Sequence, residues 1–225
     1  MRTFFLFLVT IYSFVVASAK DITSLPVVAY PVQNYDAQKP LVIYISGDGG
    51  ENSFSKSLMQ QINAKGIPAV LFNSQKYFWS KKTPQQTAAD VESVIEYYRS
   101  QWKARKFILV GYSFGADVAP FIVNRLSKVP FTSLNNIVLI SPSNTTDFEV
   151  HVADLFGEHK KSASNIPAEI NRITQKPLLI IQGEDESEKI DARSLKVNYK
   201  LVTLKGGHRY NSNTVELANT ILKNL

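Results

Sequence analysis

The sequence of 225 residues contains no cysteine, so the chain can form no disulfide and can carry no lipid on a cysteine side chain. It also lacks low-complexity linkers and internal repeats, which favours a single domain. No basic stripe interleaved with aromatic residues suggests nucleic-acid binding, and the glycine-lysine motif of phosphate-binding loops is absent. Only three histidines are present, so a catalytic histidine would have few competitors.

Residues 1–19 differ in composition from the rest of the chain. Arg2 is followed by a mainly apolar run from Phe4 to Val16 and then by Ala17-Ser18-Ala19, an arrangement typical of a cleaved signal peptide. The run is shorter than the stretch of about 20 apolar residues that spans a membrane. We therefore expect a signal peptide over residues 1–19 and one mature domain over residues 20–225.

The charge balance is basic, with 25 Lys and Arg against 19 Asp and Glu and a net charge of +6. Loss of Arg2 with the signal peptide lowers this charge to +5. The densest basic clusters are Lys81-Lys82, Lys103–Lys106 and Lys160-Lys161, which are spread along the chain. A solvated surface is the commoner interpretation of such a pattern, and a peripheral contact with anionic lipid is the other.

Short apolar runs alternate with segments of helical spacing from residue 20 onward. The predicted strands are Pro26–Tyr30, Leu41–Ile45, Ile67–Phe72, Phe107–Val110, Ile137–Ile140, Pro177–Ile181 and Tyr199–Leu204. The predicted helices include Phe54–Ile62, one that starts at Thr83-Pro84, Ala116–Leu126, and one from about Asn213 to Leu222. This alternation predicts an α/β fold with a mostly parallel central sheet and helices on both faces.

The segment Gly111-Tyr112-Ser113-Phe114-Gly115 joins a predicted strand to a predicted helix. A G-x-S-x-G pattern in that context is typical of a nucleophile elbow, in which the serine lies on a sharp turn with its hydroxyl exposed above a sheet. Ser113 is therefore the predicted nucleophile.

A serine nucleophile needs a base and an acid that orients the base. In sites of this type the acid follows the serine in the sequence, and the histidine base follows the acid. His208 comes directly after the last predicted strand and is the predicted base, whereas His151 lies between two strands and is a candidate substrate contact. The acid should follow the strand Pro177–Ile181. Asp185 and Glu186 both remain candidates there.

The glycine-rich loop Ser46–Gly50 follows an earlier predicted strand and is a candidate oxyanion-binding loop. The predicted oxyanion donors are the backbone N–H of Phe114 and that of Asp48 or Gly49. The Asp48 carboxylate would repel an oxyanion, and a substrate that carries an ammonium group would explain its presence.

Two further stretches are expected to shape the pocket. Tyr77–Ser80 is rich in aromatic residues, and Tyr77 and Trp79 are candidate substrate contacts, with buried packing as the alternative. The connection from Ser141 to Lys176 is much longer than usual for linked strands, so residues 142–176 are a candidate lid. No metal site and no cofactor are expected.

The chain resembles the VirJ-like proteins of the α/β-hydrolase superfamily, which include the C-terminal domain of the AcvB proteins. The resemblance rests on Ser46–Gly50, Tyr77–Ser80 with Thr83-Pro84, the Gly111–Gly115 elbow and Phe148–Gly157. It implies a periplasmic location and, for AcvB-type members, hydrolysis of lysyl-phosphatidylglycerol. VirJ itself is associated with type IV secretion.

The residues predict a secreted serine esterase with a Ser-His-acid mechanism. The resemblance implies that it is periplasmic and that its substrate is an aminoacyl (lysyl) ester of phosphatidylglycerol. The first alternative is a general carboxylesterase or thioesterase acting on another small ester. The second is a non-catalytic periplasmic factor that retains the fold and has a partner in the secretion machinery.

Overall fold

The computed structural model describes residues 22–150 and 164–225. The strands are β1 (Val27–Tyr30), β2 (Leu41–Ile45), β3 (Ala69–Phe72), β4 (Phe107–Tyr112), β5 (Leu134–Ile140), β6 (Thr145–Thr146), β7 (Ser164–Asn165), β8 (Leu178–Gly183) and β9 (Lys200–Leu204). The α-helices are α1 (Ser53–Asn63), α2 (Ser74–Tyr77), α3 (Pro84–Gln101), α4 (Phe114–Val123), α5 (Lys128–Ser133), α6 (Ile166–Ile170) and α7 (Thr214–Lys223).

Seven strands form one sheet in the order β1-β3-β2-β4-β5-β8-β9. All neighbours pair in parallel except β1, which pairs antiparallel with β3 at the edge. Parallel strands need a crossover connection of a dozen or more residues, usually a helix. The segment between β1 and β2 contains no helix, and β1 accordingly runs in the opposite direction to the other strands. The mostly parallel sheet that the sequence predicts is confirmed.

The side chains of the central strands are buried on both faces of the sheet. In β2, Leu41, Ile43 and Ile45 belong to one core cluster together with residues of α3 and α4. Val42 and Tyr44 point to the other face and pack with residues of α1 and α7. This alternation explains why every residue of β2 is apolar and buried.

Side-chain caps fix the starts of the two helices whose N-termini the sequence marks. The Thr83 side chain accepts a hydrogen bond from Gln86 N–H, and Pro84 occupies the first turn of α3. The Asn213 side chain accepts from Glu216 N–H at the start of α7. Because caps of this type satisfy backbone donors locally, both starts could be read from the sequence.

The connection between β5 and β8 contains a short antiparallel pair, β6 with β7, followed by α6. The Glu169 carboxylate of α6 lies 2.5 Å from Arg125 and 3.2 Å from Arg172, and Asn124 donates to the Glu169 carbonyl. These contacts fix α6 beside the end of α4. Residues 151–163 of the predicted lid, including His151, lie outside the described residues.

None of the helices within residues 22–150 and 164–225 is long and apolar enough to cross a membrane.

Candidate active site

Ser113 lies at a strained turn between β4 and α4. Its φ is 53° and its ψ is −123°, and its N–H donates to the Ile140 carbonyl at the end of β5 over 2.8 Å. A positive φ is uncommon for a residue with a side chain and persists only where the surroundings impose it. The turn brings the Ser113 hydroxyl to the carboxyl edge of the sheet.

Two glycines allow α4 to begin against the sheet. A Cβ atom on Gly111 would lie 2.3 Å from the Gly115 carbonyl oxygen, and one on Gly115 would lie 2.1 Å from the Ile45 carbonyl oxygen. Both distances are far inside van der Waals contact with backbone, so neither position can carry a side chain in this arrangement.

His208 contacts Ser113 directly. The distance between His208 Nε2 and Ser113 Oγ is 2.8 Å, which is a good hydrogen bond. Tyr112, the residue before the serine, donates its hydroxyl to the His208 carbonyl over 3.0 Å. The loop after β9 is therefore tied to the end of β4, and the imidazole is held within reach of the hydroxyl whose proton it would accept.

Of the two candidate acids, Glu186 is the one that lies beside His208. Its side chain is only 2% exposed, and its Oε1 lies 3.9 Å from His208 Nδ1. The Glu186 Oε2 atom is buried and has no hydrogen-bond partner among the described residues. Asp185 is exposed, and its backbone N–H donates to the Gly206 carbonyl.

A hydrogen-bonded chain holds the Glu186 carboxylate in place. Gly183 N–H donates to Glu186 Oε1 over 3.0 Å, and the Ser141 hydroxyl donates to the same atom. Since the Ser141 proton is engaged there, the Tyr210 hydroxyl, 2.5 Å from Ser141 Oγ, is the donor of that pair. Burial raises the pKa of Tyr210, which keeps its hydroxyl protonated and able to donate.

The loop Ser46–Gly50 lies beside the serine, since a Cβ on Gly47 would be 3.3 Å from Ser113 Cβ. Gly49 N–H donates to the Asp48 carboxylate over 2.8 Å. The N–H groups of Asp48 and Phe114 have no hydrogen-bond acceptor within the described parts of the chain. Of the predicted oxyanion donors, the N–H groups of Phe114 and Asp48 are therefore available to an oxyanion, whereas that of Gly49 is already bonded to the Asp48 carboxylate.

A cleft of about 890 Å³ contains Ser113 and His208 and is lined by the loops that follow β2, β4, β5, β8 and β9. We call this space the cleft. Its carboxylates come from all of these segments except the β9 loop: Asp48, Asp117, Asp147, Glu149, Asp185, Glu186 and Glu188. Lys189 is the only lysine or arginine in the described lining. No group of three metal-ligand side chains is found within residues 22–150 and 164–225.

Among the carboxylates in the described lining of the cleft, Asp117 is the most deeply buried one outside the Glu186 network. It lies in the first turns of α4, is 8% exposed, and its N–H donates to the Ser113 carbonyl over 3.0 Å. Its side chain accepts hydrogen bonds from Ser143 N–H at 2.7 Å and from the Ser143 hydroxyl at 3.0 Å. Burial raises the pKa of Asp117 from its ordinary value of 3.8 to about 7, although the Ser143 hydrogen bonds oppose the change.

A family model described as bacterial virulence protein (VirJ) matches residues 39–225. The chain belongs to the VirJ family. No curated protein matches the sequence.

Solved structures similar to this VirJ-family protein have the α/β-hydrolase fold. Est1E from Butyrivibrio proteoclasticus has a TM-score of 0.62 and 16% identity, over 88% of this chain and 93% of that chain. The thioesterase domain from the curacin biosynthetic pathway has a TM-score of 0.61 and 14% identity, over 87% and 94%. A serine hydrolase homologue from Coxiella burnetii has a TM-score of 0.62 and 16% identity, over 88% and 90%. At these identities the likeness establishes the fold.

Two predicted substrate contacts of the VirJ-family protein do not line the cleft. Tyr77 is buried, and its hydroxyl donates to the Asp90 carboxylate over 2.6 Å. Trp79 is 64% exposed. Phe78, between them, is fully buried and packs against Phe114 with 4.9 Å between ring centroids. The aromatic stretch therefore supports the Phe114 side of the cleft from behind, which corrects the prediction.

Sequence reasoning missed Asp117, Ser141 and Ser143. Asp117 carried a usable signal, because it is the one charged residue in the apolar run that opens α4. Ser141 is the first polar residue after β5, but nothing in the sequence indicates that it meets Glu186 and Tyr210. These contacts join segments that are 45 and 69 residues apart.

The Asp117→Asn variant should be more stable than the natural protein at pH 8. Because the folded-state pKa lies above the unfolded-state value, the folded chain binds more protons between about pH 4 and pH 7, and the carboxyl group costs stability as the pH rises through this window. A neutral side chain removes this cost, so the free energy of unfolding should rise by about 1 to 3 kcal/mol.

Urea unfolding at pH 4.5 and pH 8 measures the effect. The gain should shrink toward the lower pH, where Asp117 is protonated in the folded chain. Glu188→Gln, an exposed carboxylate in the same cleft, is the matched control and should change stability by less than about 0.5 kcal/mol. Equal destabilisation of Asp117→Asn at both pH values would contradict this account.

Proposed function

We propose that this protein is a serine ester hydrolase of the periplasm that removes lysine from lysyl-phosphatidylglycerol. The observation that carries the proposal is the 2.8 Å contact between Ser113 Oγ and His208 Nε2, with the buried Glu186 behind the imidazole. Nucleophile, acid and histidine follow one another along the chain in the order of α/β-hydrolases. An intact set of this kind favours catalysis over a purely structural role.

In the first half of the reaction, Ser113 Oγ attacks the carbonyl carbon of the ester and its proton passes to His208 Nε2. The negative charge that develops on the carbonyl oxygen is accepted by the N–H groups of Phe114 and Asp48. The Glu186 carboxylate stabilises the imidazolium. His208 then returns the proton to the leaving alcohol, and the acyl group stays on Ser113.

In the second half, water replaces the alcohol. His208 takes a proton from this water as its oxygen attacks the acyl carbon, and the same two N–H groups hold the second oxyanion. The proton returns to Ser113 Oγ when its bond to the acyl carbon breaks. For a lysyl ester, the alcohol released first is phosphatidylglycerol, and lysine leaves last.

The lining of the cleft supports a positively charged acyl group. The described lining has seven carboxylates and one lysine, and a lining of this net charge favours an ammonium group over an anionic acyl chain. Lysine carries two ammonium groups in its esterified form. The Asp48 carboxylate, which borders the oxyanion site, is compatible with a substrate of this charge. The family resemblance supplies the lipid part of the substrate.

The periplasmic location rests on the signal-peptide composition of residues 1–19, which lie outside the described residues. The test is fractionation of cells that make the full chain, with N-terminal sequencing of the product. A product that starts near Lys20 in the periplasmic fraction supports the proposal, and an uncleaved cytoplasmic chain contradicts it.

Purified natural protein should release free lysine and phosphatidylglycerol from lysyl-phosphatidylglycerol in mixed micelles. Ser113→Ala should lower this rate by at least about 1,000-fold, because no other hydroxyl among the described residues bonds to the His208 imidazole. Lysine release is followed by chromatography. If Ser113→Ala restores the phenotype of a deletion strain, the fold serves as a non-catalytic factor instead. Hydrolysis of simple acyl esters alone indicates a general esterase.

Glu186→Gln should lower kcat by about 100-fold to 10,000-fold, since the neutral amide cannot stabilise the imidazolium. Asp185→Asn is the matched control, because it removes the same charge from the adjacent, exposed residue of the cleft. It should change kcat by less than about 5-fold. Steady-state kinetics on one soluble ester decide between the two acids, and the reverse ranking would assign the role to Asp185.

Trp79 and the neighbouring Lys81 are both exposed and follow Phe78, whose carbonyl accepts from Val150 N–H at the edge of the cleft. An exposed tryptophan beside lysine is suited to an anionic membrane surface. Trp79→Ala should therefore lower the ratio of vesicle-bound to soluble substrate turnover by about 10-fold. Tyr97→Ala, an exposed aromatic residue on α3, is the control. If the two variants had equal ratios of vesicle-bound to soluble substrate turnover, the proposed contact of Trp79 with the membrane would be contradicted.

A further inference from the structure

The described lining of the cleft holds far more negative than positive charge, but most of its carboxylates reach solvent. Asp185 and Glu188 are exposed, and exposed charges are screened by water and salt. Asp117 differs because it is 8% exposed, so it keeps most of its electrostatic influence. No lysine or arginine side chain bonds to it among the described residues. A buried carboxylate without a cationic partner is costly.

The fold does not require the charge at this position. Asp117 Oδ1 accepts from Ser143 N–H, and an asparagine carbonyl oxygen could accept the same bond. The Ser143 hydroxyl is 3.0 Å from Asp117 Oδ2 and also 3.0 Å from the Thr145 carbonyl, although a hydroxyl donates only one proton. With asparagine, its amide would donate to the Ser143 hydroxyl, which would donate to Thr145. A neutral residue would therefore satisfy the network at least as well.

The position of Asp117 ties its charge to the reacting group. Its N–H is bonded to the Ser113 carbonyl, and both residues line the same cleft. The N–H of Phe114, which would hold the oxyanion, belongs to the same turn of α4. An acyl chain bonded to Ser113 would therefore lie in the same cleft that Asp117 lines. Burial raises the pKa of Asp117, and an ammonium group beside it would favour the ionised form again.

We propose that Asp117 is the specificity-determining residue of the cleft and binds an ammonium group on the acyl part of the substrate. This assignment rests on the proposed ester hydrolysis. Asp48, whose carboxylate accepts from Gly49 N–H, shapes the oxyanion loop and has the smaller part in selecting the cation.

Four methyl esters with the same six-carbon acyl chain test the assignment. Hexanoate has no ammonium group, norleucine has one at the α carbon, 6-aminohexanoate has one at the far end, and lysine has both. For the natural protein and each variant, kcat/KM is measured for all four, with Ser113→Ala as the blank. The ratio of each cationic ester to the hexanoate ester isolates the recognition of charge from the chemistry that all four share.

Asp117→Asn should lower the lysine-to-hexanoate ratio by about 10-fold to 100-fold, as expected for loss of a charge-assisted hydrogen bond. The two singly charged esters show which ammonium group is bound, since only one of their ratios should fall by the full amount. Should Asp117→Asn fail to fold, Asp117→Ser removes the charge with a smaller side chain that can still accept from Ser143 N–H.

Two control variants separate this role from the alternatives. Glu188→Gln removes an exposed carboxylate from the same cleft. Ser143→Ala removes the hydroxyl but keeps the Asp117 carboxyl group and its hydrogen bond from the backbone N–H of residue 143. Both should change the lysine-to-hexanoate ratio by less than about 3-fold.

Three outcomes would overturn the assignment. A uniform loss on all four esters in Asp117→Asn would make the residue a support for the loop after β5. A loss of selectivity in Glu188→Gln as large as in Asp117→Asn would mean that selectivity comes from the net negative charge of the cleft. An equally large loss in Ser143→Ala would mean that it comes from the position of the loop after β5. Failure of the natural protein to hydrolyse any ester would instead refute the proposed function.

Discussion

The close approach of α4 to the backbone of β2 and β4 determines where the functional groups of this protein can lie. Gly115 brings the helix against the Ile45 carbonyl, and Ser113 takes a positive φ at the turn that precedes it. Positive φ recurs at Ser141 and at Tyr210–Ser212, beside the acid and the base. Each such residue costs about 1 to 3 kcal/mol. The N–H groups of Ser113 and Ser141 donate to the carbonyls of Ile140 in β5 and Ile181 in β8, which hold these two turns in place.

Charge is distributed unevenly between the surface and the cleft. The chain as a whole is basic, with a net charge of +6, yet the described lining of the cleft has seven carboxylates and one lysine. The two signs act over different distances, because exposed lysines contribute a field that salt screens, whereas the buried Asp117 acts at close range. This distribution of charge supports the proposed substrate, in which a cationic acyl group is joined to an anionic lipid.

The fold was largely predictable because its signals are local. Apolar runs such as Leu41–Ile45 are buried on both faces, and the capping residues Thr83 and Asn213 mark helix starts within a few residues of themselves. The antiparallel β1 was less predictable, since its direction depends on what it pairs with. The aromatic stretch was misread at Tyr77 and Trp79, because an aromatic cluster indicates packing without indicating which face it packs against.

The sequence by itself determined the α/β class and the pairing of Ser113, the candidate nucleophile, with His208, because strand-end motifs and a scarcity of histidine leave few choices. Only the tertiary structure distinguished Glu186 from Asp185 and revealed Asp117 as a buried charge. Two adjacent acidic residues in a loop cannot be told apart from the sequence, because they differ only in burial and in the direction of the side chain. Those properties arise from contacts between segments tens of residues apart, which no local pattern records.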